Sequence, residues 1–188
     1  MFNRKIKNFS FSDFKPELQI LIRAGESALD KSKLHKLEAL LEQFNDINWE
    51  RVYQLACIHQ IRPLLLRGVS QLKNNPIPQE VLLKLKQDCV YIAGRNLTNT
   101  QEMLRLLTLF KENNITAVPY KGAYLANTYY GDFGLREFSD IDLFVHEHQL
   151  PQLKKIMQQE NYIPQWDLNP QQEKMFLSIV CEYNYNLF

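Results

Sequence analysis

Ser139-Asp140-Ile141-Asp142-Leu143-Phe144-Val145 is the stretch that decides the fold and the chemistry of this chain. Apolar and polar residues alternate through it, the period of a half-buried strand. Alternation places Ile141, Leu143 and Val145 on one face, and Asp140, Asp142 and Phe144 on the other. Two aspartates at i and i+2 on a strand share a side, near enough to hold one divalent cation, and hard oxygen donors suit magnesium. Alone the pair is weak evidence. With 21 acidic residues among 188, chance supplies about two acid-x-acid pairs in such a chain.

The residues on either side supply the context. Upstream, Ile115-Thr116-Ala117-Val118-Pro119-Tyr120 is short, β-rich and bounded by turn residues, so it is read as a first strand. Pro119 limits it to an edge or a strand end, because proline offers no ladder donor. Lys121-Gly122 turns into a helix expected from Ala123 to about Tyr130, and Gly131-Asp132-Phe133-Gly134 is a loop. Free backbone N–H groups at the start of that helix suit an anion, which sets a phosphate site beside the carboxylates. Downstream, a helix is expected from about Gln149 to Gln159 and another from Gln171 to about Cys181, while residues 182–188 are either a helix end or a strand.

From Asp13 to Asn113 the pattern is helical throughout, with apolar residues recurring at spacings of three and four. Leu34, Leu37, Leu40, Leu41 and Phe44 form one stripe. Asp46 or Asn48 is placed to cap the next helix, and Pro63 lies near a start or a kink. Asn74-Asn75-Pro76-Ile77-Pro78 is a loop, since proline donates no helical hydrogen bond and restricts the residue before it. A long helix then runs from Val81 to Lys111, with an inward stripe expected at Leu97, Met103, Leu104, Leu107 and Phe110 and a stop at Asn113-Asn114.

Composition agrees with a folded chain of about one domain. Apolar residues make 45% and charged residues 23%, and 22 Lys+Arg against 21 Asp+Glu leave a net charge of +1. That balance disfavours disorder and gives no support for extensive contact with a nucleic-acid backbone. No run approaches the roughly 18 apolar residues needed to span a bilayer, and no signal-like segment follows the N-terminus, so no membrane partner and a cytoplasmic location are expected. Cys57, Cys89 and Cys181 stand far apart and are read as core thiols.

In order and spacing, Val118-Pro119-Tyr120-Lys121-Gly122-Ala123-Tyr124-Leu125-Ala126, then Tyr130, Gly134-Leu135-Arg136 and the Ser139 to Val145 strand resemble the signature of the uncharacterised nucleotidyltransferase family in the polymerase-β-like superfamily. The resemblance implies an α+β fold, with a helical region over residues 1–113 and a small mixed-sheet nucleotidyltransferase core over 114–188. It implies a magnesium-dependent enzyme that moves a nucleotidyl group from an NTP to a hydroxyl or similar acceptor, with two magnesium ions held by three carboxylates. The acceptor stays open among a small molecule, a protein side chain and an RNA end.

Carried over by position, Asp140 and Asp142 match the first two carboxylates, as catalytic residues and metal ligands. Gly122 matches the turn glycine. Lys121 takes a phosphate-contacting role. Arg136 either reaches the triphosphate or holds the loop, and Ser139 either donates to a carboxylate or caps local backbone. The third carboxylate departs from the pattern: the acidic-apolar-His-Trp-like segment that supplies it elsewhere is not found up to Phe188, and the core is expected to be incomplete at its C-terminal end. Glu182 is the late candidate, although helical spacing through Phe176, Ile179 and Val180 puts it at a helix end. The alternative function is a non-catalytic module that senses nucleotide or binds a protein partner through a vestigial site.

Plainer readings apply to other features. His146-Glu147-His148 follows the strand as ordinary loop residues. His35 and His59 sit in helical patterns, and Tyr129-Tyr130 and Trp166 are read as packing. Arg4, Lys5 and Lys7 are a solvated terminus.

Overall fold

A computed structural model describes residues 10–179 and 183–187. Among them the fold is α+β. Helices α1 (Pro16–Leu29), α2 (Leu34–Gln43), α3 (Trp49–Ile58), α4 (Arg62–Val69) and α5 (Gln79–Glu112) come first. Strand β1 (Ala117–Tyr120), the short helix α6 (Gly122–Leu125) and a π-helical turn (Ala126–Tyr130) follow. The chain continues through β2 (Asp142–Val145), α7 (Leu150–Gln159), β3 (Tyr162–Pro164), α8 (Pro170–Ile179) and β4 (Tyr185–Leu187). β1 joins β2 in one two-stranded sheet, and β3 joins β4 in another.

The local signals explain these boundaries. Asn48, not Asp46, caps α3, its Oδ1 accepting from the Arg51 N–H at 2.9 Å. Pro63 falls in the first turn of α4, where its missing donor does no harm. Asn114 ends α5 in the left-handed region at φ 57°, as an asparagine beyond a helix stop can.

Contacts divide the chain into two compact units. The first joins the residues up to Leu104 with Pro119–Asp142. Its core is built by Ile20, Leu21 and Ala24 of α1, Leu37 of α2, Val52 and Ala56 of α3, Leu65 and Val69 of α4, and Leu85 of α5. Gly68 lets α4 lie against α1: a Cβ there would stand 2.2 Å from the Ala24 carbonyl oxygen. The second unit joins Arg105–Val118 with the residues from Leu143 onward. There β3 and β4 run antiparallel, Ile163 opposite Asn186. Gln149 ties β1's approach to the foot of α7, donating to the Asn114 carbonyl at 2.9 Å and accepting from the Thr116 N–H at 3.1 Å.

Four sequence expectations need correction. The first strand starts at Ala117, because Ile115 is buried and its N–H returns to the Phe110 carbonyl at 2.8 Å, closing the end of α5. The helix after the turn begins at Gly122 and loosens into a π turn from Ala126, which Gly131 ends at φ 65°. The long helix does not bury the expected stripe throughout. Leu97 and Leu104 are exposed, while Ile92, Asn96, Thr100, Leu106 and Phe110 point inward, so the buried face includes two polar residues. The second strand starts at Asp142, three residues late, and Asp140 sits in a bend before it.

The segment before β2 is held by an electrostatic network within the first unit. Glu137, its side chain 3% exposed, receives Arg62 through the backbone N–H at 2.8 Å and through Nη2 at 2.6 Å. The same guanidinium reaches Asp88 of α5 at 2.8 Å, and Asp88 accepts the Tyr53 hydroxyl of α3 at 2.8 Å. One part-buried network, with Glu137 at its enclosed end, thus ties α3, α4 and α5 to the segment before Asp140. The two carboxylates and their hydrogen bonds hold Arg62 firmly in its charged form, above its ordinary pKa. Cys89, next to Asp88, is half-buried rather than fully enclosed; burial, with Glu137 nearby, pushes its thiol up to about 12.

Removing one partner of a buried ion pair strands the other, at a cost of about 3 to 5 kcal/mol. Arg62→Met strands the Glu137 carboxylate, so its urea unfolding is expected to show a loss of that order, and Arg62→Met/Glu137→Met together to recover most of it. Because the folded chain holds the Cys89 proton above the unfolded value, that group's stabilisation is present below about pH 9 and is lost as pH rises toward 12. The alkaline decline of unfolding free energy should be shallower in Cys89→Ala; an identical slope would remove this contribution.

Candidate functional site

The site lies wholly within the first unit. α5 forms its floor through residues one turn apart. Asn96 is fully buried, and its Nδ2 donates to the carbonyls of Phe133 at 2.6 Å and Arg136 at 2.7 Å. Those two bonds fix the backbone of the loop. Two turns on, Met103 packs against Ala123, Ala126 and Phe138, which seats the short helix and the loop on the same face. Gly134 is held by its own turn, its N–H donating to Asp132 Oδ1 at 2.8 Å.

On this floor Asp140 and Asp142 line one narrow cleft with Gly122, Ala123, Phe138 and Asn99, too tight in this structure to admit a water molecule. Asp140 is exposed and Asp142 half-buried, so the pair presents oxygen donors from an accessible edge. Phe144, expected on the same face, is 58% exposed. Asn99, between Asn96 and Met103 on α5, turns its Nδ2 inward, where it is buried with no hydrogen-bond partner among the described residues.

The Lys121-Gly122 turn is strained. Lys121 adopts φ 59° and ψ −139°, a region that costs a residue with a Cβ about 1 to 3 kcal/mol. Gly122 follows at φ 36°, and a Cβ there would meet the Asp140 carbonyl at 3.5 Å, so the backbone angle rather than lack of space demands glycine. Leu125 N–H makes a 3.0 Å bond to the Lys121 carbonyl, and the N–H groups of residues 122–124 precede that ladder. The Lys121 ammonium lies 4.9 Å from the Tyr120 ring centroid, a cation–π contact.

The other expected site residues are placed differently. Arg136 does not line the cleft; its guanidinium lies over Phe138 at 5.9 Å, one buried nitrogen without a partner among the described residues, and its carbonyl is held by Asn96. Ser139 is exposed beside Asp140 and is not in the lining. Glu182 and Cys181 lie outside the described residues, as do Arg4, Lys5 and Lys7. Glu137, the acid nearest the pair in sequence, is committed to Arg62. Among the described residues no group of three His, Cys, Asp or Glu side chains is placed to hold a metal. The His146 and His148 rings stack on each other at 5.4 Å in an exposed turn.

Arg62, Glu137, Asn96 and Asn99 escaped the sequence reading. Two asparagines at i and i+3 in mid-helix were the available signal, because asparagine is a poor interior helix former and is seldom kept there without a partner.

No helix of the described residues is long and apolar enough to cross a membrane. Comparison with curated proteins and with solved structures returned no match. A family model described as uncharacterised nucleotidyltransferase matches residues 45–182. The matched span runs from the approach to α3 through α8, and so takes in the Arg62 network, the α5 floor, the strained turn and both aspartates. The chain belongs to this uncharacterised nucleotidyltransferase family.

Proposed function

We propose that this protein binds an NTP with magnesium at the Asp140–Asp142 cleft and transfers its nucleotidyl group to a hydroxyl or similar acceptor. One observation carries the reading: both aspartates line the same cleft as the Gly122 turn, in a chain of a nucleotidyltransferase family. The donor set fits the metal, since two carboxylates offer hard oxygens, and the sulfur in the lining, the Met103 thioether, is packed against Ala123, Ala126 and Phe138. Magnesium, when bound, neutralises triphosphate oxygens and makes an acceptor hydroxyl easier to deprotonate.

The chain's own residues supply position. Asp140 and Asp142 hold the cation, and the backbone N–H groups after Lys121 offer donors to phosphate oxygens. Lys121 needs only to leave the Tyr120 ring to add a positive charge. Glu137 and Asn96 fix the loop before the nucleotide arrives, so less ordering is left for the moment of binding. Residues 1–113 serve as the helical support and 114–188 as the nucleotidyltransferase core, with a small molecule, a protein or an RNA end as acceptor. The second reading, a nucleotide-binding module without catalysis, shares the binding step; it is distinguished by nucleotide binding without pyrophosphate release. It draws on the cleft lined by two carboxylates among the described residues.

Thermal stabilisation by a panel of NTPs with and without magnesium tests the site. A ligand at about 100 times its Kd stabilises by about 2.7 kcal/mol. Stabilisation should require magnesium and vanish in Asp140→Asn/Asp142→Asn; NTP stabilisation that persists in that double variant would place the nucleotide elsewhere. Lys121→Gly should raise the melting point of the free protein, by about 1 kcal/mol of relieved strain, while weakening NTP binding. A lowered melting point would show that the strain reading of Lys121 is wrong.

A further inference from the structure

The outer side of α5 has no role in anything said above. Leu83, Val90, Leu97 and Leu104 lie along it at intervals of seven residues, each at least half exposed. Leu85, Ile92, Asn96 and Thr100 are the buried residues of the same stretch, and at 3.6 residues per turn the two sets fall on opposite sides of the helix. Gln87, Gly94 and Gln101 stand three residues before Val90, Leu97 and Leu104, and they are exposed as well. Rows spaced alternately by three and four, repeating every seven, are the pattern of a seam between two supercoiled helices. The solvent face of an ordinary surface helix is charged. From Gln87 to Leu104 no exposed residue of α5 carries a charge. Gly94 lies at the middle of the seam. An interior glycine weakens a helix, and a Cβ there would meet nothing within 4 Å, so packing inside the chain does not ask for it. It leaves room for a backbone that approaches from outside.

We infer that this face is the interface of a homodimer, in which α5 of a second copy lies along α5 of the first between Leu83 and Leu104. The seam fits a helix of its own period and length, and a second α5 supplies both, together with the central glycine. An uncharged seam brings no like charges together across a two-fold axis, and it offers nothing by which a partner of opposite charge would be selected. The area agrees. With Tyr91 beside it, the row exposes about 600 Å² per copy, so two copies cover about 1,200 Å², the size at which stable interfaces begin. The glutamine layers lower the strength of such a seam and fix its register. Asn99 and Met103, which line the cleft, lie on the inner side of α5, so pairing leaves the cleft open and the inference stands apart from the proposed function.

The test is sedimentation equilibrium of the full chain across the micromolar range, with a reductant present so that thiols do not bridge copies. Val90→Glu/Leu97→Glu puts carboxylates in the seam and touches no buried side chain. Gly94→Leu adds no charge, and its side chain meets open space in its own chain while blocking close approach. Leu29→Glu, at an exposed leucine of α1, is the control. Each variant is melted first to establish that it folds. The expected result is a reversible monomer–dimer equilibrium for the parent and for Leu29→Glu, with association at least about tenfold weaker in each of the two seam variants. A parent that stays monomeric throughout, or association that neither seam variant weakens, would overturn the inference. Assembly of the parent beyond dimers would show an adhesive surface instead of a closed seam and overturn it too. A monomeric parent that floats with phosphatidylserine vesicles, and loses that binding in Val90→Glu/Leu97→Glu, would put lipid on this face in place of a second copy.

Discussion

The buried pairing of Arg62 with Glu137 is the constraint on which the rest of the site depends. A carboxylate that is 3% exposed is stable only with a fixed cation, and Arg62 answers with its backbone N–H and its guanidinium together. The backbone bond matters because it belongs to the start of α4, where the N–H has no intrahelical acceptor. Glu137 therefore works as a cap on a helix far away in sequence and as an anchor for its own loop. Three residues later the chain delivers Asp140 and then Asp142. Their position is tied to the start of α4, 75 residues before Glu137, and that helix lies inside the span that the family model matches.

α5 contributes in a different way. Its face toward the site is graded from a polar clamp at Asn96, through Asn99, to an apolar seat at Met103. Helix propensity alone disfavours both asparagines. Their retention is balanced by the loop carbonyls that Asn96 satisfies, since those carbonyls have no strand or helix ladder of their own. Strain at Lys121 fits the same pattern: the energy that this backbone conformation costs is offset by packing nearby.

Much of this was legible in the sequence and some was not. The helical first half, the caps, the proline loop and the Lys121-Gly122 turn rest on local chemistry, and they appear close to where local rules put them. The Asp140–Asp142 pair was found by period-two alternation, and the two residues do share a cleft. The reason is partly different, because Asp140 precedes the strand and is carried by the anchored loop. What the sequence hid is long-range: Arg62 and Glu137 are 75 residues apart, and nothing in the surroundings of either marks the other. The stripe on α5 failed for a related reason. Hydrophobicity picks Leu97 and Leu104, but the loop that covers the helix takes hydrogen bonds from Asn96, and Thr100, turned inward one turn on, spends its hydroxyl on the Asn96 carbonyl.

The central claim is that an anchored pair of carboxylates forms a divalent-metal and nucleotide site. A crystal structure with manganese and a non-hydrolysable ATP analogue addresses it most directly, because anomalous scattering locates the metal independently of the nucleotide. The account requires an anomalous peak in contact with the carboxylates of both Asp140 and Asp142, with the triphosphate lying along the Gly122 turn and Glu137 still paired with Arg62. Ordered manganese and nucleotide bound away from those aspartates, or a metal held there only after Glu137 leaves Arg62, would contradict it.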